Sequence, residues 1–163
     1  MRIDPMTPTD WPHVRTIYEE GIATRNATFE AEAPSWEHWD SAHLTVCRMV
    51  ARAGDIVLGW AALSPVSRRQ CYAGVAEVSV YVRKSARGQG IGRTLLEHLV
   101  AASEAEGIWT LQGATFPENT ESLQLQASCG FRVVGRRERI AQMDGIWRDT
   151  VLTERRSGKV GAL

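Results

Sequence analysis

The chain is 163 residues long, enough for one domain around one hydrophobic core, and its 44% apolar content is ordinary for a globular protein. Lys plus Arg and Asp plus Glu both total 19, so no whole-molecule field gathers nucleic acid or an anionic membrane, and a polymer partner is disfavoured. The first residues lack the apolar stretch of a secretory signal, no window is apolar over the roughly 20 residues a membrane helix needs, and Cys47, Cys71 and Cys129 show neither CxxC nor Cys/His clustering; the expectation is a cytoplasmic protein with buried free thiols and no metal, nucleic-acid or membrane partner.

Arg2 to Met6 reads as a short strand, after which Thr9 or Asp10 caps a helix whose apolar positions Trp11, Val14, Ile17, Tyr18 and Ile22 recur at helical spacing. Pro34-Ser35 opens a second, shorter helix through Trp36 and Trp39, with Ser35 as its cap. Val46 to Ala53 and Ile56 to Leu63 are strand-like runs joined by Gly54-Asp55, a hairpin signal. Val75 to Val82 alternates between residue classes and is rich in valine, which suits a further strand ending at Arg83. Past Gly88, Gly90 and Gly92, residues Leu95, Leu96, Leu99, Val100 and Ala102 make one apolar stripe while Arg93, Glu97, Glu104 and Glu106 stay polar. That is the pattern of an amphipathic helix, closed at Gly107. Trp109 to Thr115 is a strand, Thr120 to Ser128 another amphipathic helix, and Gly130 its left-handed cap. Phe131 to Gln142 and Ile146 to Thr153 are strands on either side of Asp144-Gly145, the strongest hairpin signal in the chain.

Nothing repeats at a fixed period and no Gly/Ser or Pro run divides the sequence, so residues 1–155 are expected to form a single domain. Residues 156–163, small and polar, read as a frayed C-terminal tail. The order strand, helices, three strands, helix, strand, helix, two strands predicts an α/β (α+β) fold with a central mixed sheet and helices on both faces. A parallel crossover joins the fourth strand to the fifth through the helix that follows the glycines.

The informative segment runs from Glu77 through Arg87-Gly-Gln-Gly-Ile-Gly to Arg93 and Thr94. A strand leads through a glycine-containing turn into a helix N-terminus, where unpaired N–H groups and the positive end of the helix dipole face outward together. Such a turn can hold a pyrophosphate. Gly at 88, 90 and 92 permits backbone approach or positive φ, Arg87 and Arg93 add charge, and Thr94 adds a hydroxyl. The turn is not a Walker A loop, because no Gly-Lys-Ser/Thr follows. It is not a dinucleotide fingerprint either, because Leu95 stands where the third Gly would be.

Arg87-Gly-Gln-Gly-Ile-Gly resembles the pyrophosphate loop of the GNAT superfamily of acetyltransferases, and Asn119-Thr-Glu-Ser-Leu-Gln-Leu-Gln-Ala-Ser-Cys-Gly-Phe resembles that superfamily's second coenzyme A segment. The likeness narrows to the phosphinothricin and methionine sulfone (sulfoximine) acetyltransferases through Ile17-Tyr18, Ala27-Thr-Phe-Glu, Pro34-Ser-Trp-Glu-His-Trp, Ser64-Pro65, Tyr72 and Glu77-Val-Ser-Val-Tyr-Val, and so spans nearly the whole chain. It implies the GNAT fold, a mostly antiparallel sheet splayed between the fourth and fifth strands, with acetyl-CoA as cosubstrate. It also implies that backbone groups of Val80, Tyr81 and Val82 pair with the pantetheine arm as an added strand would. Gly88, Gln89, Gly90, Ile91, Gly92 and Arg93, with Arg87 and Thr94, would hold the pyrophosphate, and Asn119, Ser122 and Gln126 would meet the rest of the arm. A helix cap is the alternative reading of Asn119.

An amine is mainly protonated near neutral pH, the reference value for an α-amino group being roughly 7.7 to 8.0, so its attack on a thioester in a ternary complex needs a base. Glu77 matches the glutamate that the resembled group uses, directly or through water; the alternative is a strand glutamate paired with Arg68 or Arg83. Many superfamily members place a Tyr acid four residues before the Gly of Gly-Phe, where this chain has Gln126. Phe29, Glu30, Arg68, Arg69, Tyr72 and Asp144 fall in regions matching the group's amino-acid pocket, with Arg68 or Arg69 as a carboxylate clamp or as solvated surface arginines. Some relatives carry His where this chain has Asp144, and a basic or aromatic residue where it has Ser67. The resemblance thus implies acetylation of a small-molecule amine by a homodimer, with a peptide acetyltransferase or a non-catalytic acetyl-CoA sensor as the other readings.

Overall fold

The structure, a computed structural model, describes residues 1–162. In chain order the elements are β1 (Arg2–Pro5), α1 (Trp11–Ala23), α2 (Trp36–Ala42), β2 (Met49–Ala53), β3 (Ile56–Pro65), β4 (Val75–Val82), α3 (Ile91–Ala105), β5 (Thr110–Thr115), α4 (Thr120–Ser128), β6 (Arg132–Met143) and β7 (Ile146–Arg156). The strands form one seven-stranded sheet in the order β1-β2-β3-β4-β5-β7-β6. Every neighbouring pair is antiparallel except β4 and β5, which run parallel because α3 crosses between them.

Alternation along the strands sorts the core into two layers. Ala61 and Leu63 of β3 face Leu95, Leu96 and Leu99 of α3 together with Ala76 and Leu111. Trp60 and Ala62, one position out of phase, face Val14 and Ile17 of α1 and Trp39 of α2. Burying each such Leu or Ile is worth roughly 1.5–3 kcal/mol, so both helical layers are held to the sheet mainly by apolar burial. Local chemistry fixes the ends. The Ser35 hydroxyl accepts the His38 N–H at 3.2 Å and starts α2, while Asp144 and Gly145 both take the positive φ that a two-residue hairpin turn demands.

Three expectations are corrected. β2 begins at Met49 rather than Val46, because Cys47 sits in the left-handed region at φ 61° and cannot continue a ladder. Cys71 is exposed rather than buried, and Cys47 and Cys129 are only half-buried. Within the expected tail, residues 156–161 are tied down rather than frayed, Leu163 lying outside the described residues: the Ser157 N–H donates to the Trp109 carbonyl at 2.8 Å, and its hydroxyl accepts the Lys159 and Val160 N–H groups at 3.0 Å. The Arg156 guanidinium ties down the carbonyls of Val160 and Gly161 as well.

Candidate active site

β4 and β5 pair only at their first residues, Val75 with Thr110, Ala76 with Leu111 and Glu77 with Gln112. Beyond that point β5 follows β7 and β4 follows β3, so from Val78 to Val82 the β4 edge that faces β5 has no strand partner. A free ladder edge leaves backbone donors and acceptors to be satisfied from elsewhere. At the far end Arg87 reaches back and donates to the Val82 carbonyl at 3.3 Å. Glu77 stands at the root of the opening, half-buried, and accepts from the Gln112 amide at 3.1 Å. No cation among the described residues pairs with it: Arg83 donates instead to the Val57 carbonyl, and Arg68 makes no ion pair.

The turn after β4 places Gly88 and Gly90 at φ 77° and 79°, where an added Cβ would meet no neighbouring atom but the backbone would be strained. Gly90 caps α3 without a side-chain bond, and no protein acceptor takes the N–H groups of Gly88 to Arg93 among the described residues. The result is an outward-facing row of donors at a helix N-terminus, suited to an anion. Gly92 differs: its φ is not positive, and a Cβ there would lie 3.3 Å from the Leu125 methyl and 3.5 Å from Val82, a close but yielding contact. Ile91 is buried and contributes backbone only, Gln89 is exposed, Arg93 pairs with Glu97 at 2.8 Å, and the Thr94 hydroxyl donates to the Gly90 carbonyl at 3.1 Å.

On the α1 and α2 side of the sheet an aromatic floor supports the opening. Tyr81 stacks on Trp60 and on Tyr18, with ring centroids 4.9 Å apart in both pairs. Its ring lies on Gly21, where a Cβ would be 2.7 Å away. Burial raises the pKa of both phenols, opposed by hydrogen bonding to Thr28 and reinforced by the nearby Glu30 carboxylate, so both stay neutral at ordinary pH. Glu30 and Tyr18 also line an open cleft of about 380 Å³ together with Pro34, Trp39 and His43. Burial lowers the pKa of His43, and its Nδ1 lies 2.7 Å from the Trp39 carbonyl.

The loop between α1 and α2 is bound to the far side of the opening. Phe29 packs edge-on against Phe116, with ring centroids 4.8 Å apart. Arg25 pairs with Asp144, Arg148 holds Arg25, Asn26 and Glu118, and Asn119 donates to the Asn26 carbonyl at 3.1 Å. The structure therefore brings Phe29, Glu30, Asn119 and Asp144 into one region beside the opening. It leaves Arg68, Arg69 and Tyr72 in an exposed loop before β4, with the Arg69 guanidinium 5.4 Å from the centre of the Tyr72 ring. No hydrogen bond or ion pair joins those three to Glu77, Phe29 or Glu30 among the described residues.

Three assignments change. Asp144 is not a free carboxylate, being held by Arg25. Gln126 is 5% exposed and committed within the protein: its amide nitrogen donates to Thr115 at 2.9 Å and Ser122 at 3.2 Å, and its carbonyl accepts the Thr153 hydroxyl at 2.5 Å. It is a post between α4 and the sheet, without a donor to spare for a leaving group. Asn119 is the helix cap that was its alternative reading, accepting the Ser122 N–H at 3.2 Å, and it ties down the α1–α2 loop as well. Sequence reasoning missed Gln112, Arg25, Asn26, Phe116, Glu118 and Arg148, which acquire meaning only once β5, β7 and the loop are side by side. Among the described residues no group of three or more His, Cys, Asp or Glu could hold a metal ion, and no helix is long and apolar enough to cross a membrane.

The family model described as "Acetyltransferase (GNAT) family" matches residues 11–131. Phosphinothricin N-acetyltransferase of Alcaligenes faecalis is 35% identical over 157 residues, covering 90% of this chain and 77% of that protein. The L-methionine sulfoximine/L-methionine sulfone acetyltransferase of Pseudomonas paraeruginosa is 27% identical over 86% of this chain and 85% of its own length. Among solved structures, a GNAT superfamily phosphinothricin acetyltransferase from Sinorhizobium meliloti in complex with AcCoA superimposes with a TM-score of 0.89 at 27% identity, over 99% of this chain and 91% of that one.

Proposed function

This chain belongs to the acetyltransferase (GNAT) family and is an acetyl-CoA-dependent N-acetyltransferase; from that premise we propose that it acetylates the amine of a small amino acid or analogue, of the phosphinothricin, methionine sulfone or methionine sulfoximine type. The observation that carries the reading is the adjacency of three things: the unpaired β4 edge from Val78 to Val82, the free N–H row of Gly88 to Arg93, and Glu77 at the root of the opening without a cationic partner. These residues fit acetyl-CoA. The N–H row suits its pyrophosphate, the β4 edge suits the amide groups of its pantetheine arm, and the bound cosubstrate supplies an acetyl thioester whose thiolate is a good leaving group.

Glu77 takes the proton of the acceptor ammonium, directly or through one water, so that the neutral amine can attack within a ternary complex. A backbone N–H of β4 near Val80 stabilises the charge that develops on the carbonyl oxygen, a contribution of roughly 3–4 kcal/mol for such a donor. Because a thiol titrates near roughly 8.5, departure of the thiolate needs no acid from Gln126, in keeping with that side chain's internal bonds. Phe29 and Glu30 wall the acceptor, and the names of the relatives support an amino-acid-like one. Exposed Val133, Val134, Ile140, Ile146 and Trp147 on the β6–β7 hairpin support a homodimer, which sedimentation reads directly.

The test is a thiol-release screen with acetyl-CoA over free amino acids and their sulfone, sulfoximine and phosphinate analogues. Turnover with at least one free amino acid or analogue is expected. Incorporation into peptides alone would replace this acceptor class, and silence with every amine despite cosubstrate binding would point to a sensor.

A further inference from the structure

Arg148 lies on β7 opposite Ala141, beyond the stretch that pairs with β5, and its side chain is 16% exposed. One guanidinium nitrogen donates to the Arg25 carbonyl at 2.5 Å and lies 3.2 Å from the Met143 sulfur. The other donates to the Asn26 side-chain oxygen at 2.8 Å and to Glu118 at 3.2 Å. The group sits 3.7 Å from the centre of the Phe116 ring, the same ring that Phe29 packs against. We propose that Arg148 is a positioning residue for acceptor binding: it pins residues 25–29 against the segment between β5 and α4 and against the β6–β7 hairpin, and thereby sets Phe29 at the acceptor wall. The proposal rests on the reading of Phe29 and Glu30 as that wall.

Three features make Arg148 more than a surface ion pair. Arg25 holds a left-handed φ of 61°, a conformation its side chain disfavours, and is fixed there on every side: its N–H donates to the Ile22 carbonyl, its own carbonyl accepts from Arg148, and its guanidinium pairs with Asp144. Asn26 gives its side-chain oxygen to Arg148 and its backbone oxygen to Asn119. The same loop is therefore tied to the segment assigned to the coenzyme arm. Arginine alone suits the task, since a planar fork can serve separate acceptors while its face lies on an aromatic ring; a lysine is a point donor without that face.

The test is Arg148→Met, which keeps the aliphatic packing and removes the donors, assayed with the best amine from the screen. The acceptor KM should rise about tenfold or more, with kcat changed less than about threefold and the acetyl-CoA KM within about twofold. Hydrogen exchange should quicken at residues 24–30 and stay unchanged in α3. Asn26→Ala should give the same pattern, smaller, and the double variant should fall short of additivity. Unchanged exchange in the loop overturns the proposal, as does a parallel rise in both KM values with faster exchange across the whole sheet. Faster loop exchange with an unchanged acceptor KM also overturns it and removes the loop from the acceptor wall. Wild-type protein that turns over no amine would instead remove the acceptor reading beneath it.

Discussion

Replacing Gln126 with leucine separates a structural post from a chemical participant. The buried amide makes bonds at 2.9 Å to Thr115, at 3.2 Å to Ser122 and at 2.5 Å from Thr153. Each net hydrogen bond is worth roughly 1 kcal/mol. The loss is softened at Thr153, whose hydroxyl still has the Gly113 carbonyl at 3.4 Å, and at Ser122, which is only half-buried. Leucine fills nearly the same volume, so little cavity is left. The sum is a destabilisation of about 2–3 kcal/mol, which lowers the melting midpoint by about 5–10 °C in a chain of this size. Thermal unfolding followed by circular dichroism reads that shift, and kcat with the preferred amine, taken well below the new midpoint, should stay within about twofold. A kcat loss of about tenfold or more with an unmoved midpoint would make Gln126 part of the chemistry instead of a structural post.

Glu77→Gln should lower kcat by roughly 10²–10⁴ while leaving acetyl-CoA affinity nearly unchanged by calorimetry; retained turnover would dismiss Glu77 as the base. Gly90→Ala should cost roughly 1 kcal/mol through its positive φ, whereas Gly92→Ala should stay within about 1 kcal/mol of neutral, because the Leu125 methyl it meets can yield; chemical denaturation compares the two. Burial pushes the Cys47 thiol up to about 11, so at pH 8 only about one part in a thousand is thiolate. Iodoacetamide should therefore label exposed Cys71 well before Cys47, with Cys47 labelling rising as pH approaches 11, as peptide mass spectrometry can follow.

Elements written in local pattern were legible in the sequence. Val75 to Val82 is a valine-rich run and Thr120 to Ser128 is bounded by the Asn119 cap and the left-handed Gly130, so both have the expected bounds, and Gly88, Gly90 and Asp144-Gly145 take the positive φ their turns require. Meaning that depends on neighbours distant in the chain was not legible. Gln126 reads as a free amide on a helix until β5 and β7 supply Thr115 and Thr153. Asp144 reads as a hairpin acid until Arg25 folds onto it, and Arg148 as an ordinary strand residue until the loop lies beside it. Ser157, small and polar, reads as tail, yet β5 is flanked by Trp109, whose carbonyl holds it.

The most direct test titrates acetyl-CoA by calorimetry into the wild-type protein and into Gly90→Val, whose branched side chain opposes the φ of 79° that shapes the turn. Saturable one-to-one binding by the wild type, weakened about tenfold or more in a variant that still folds, is the predicted outcome. Equal affinity in both, or none in well-folded wild-type protein, would contradict the assignment of the diphosphate to the α3 N-terminus.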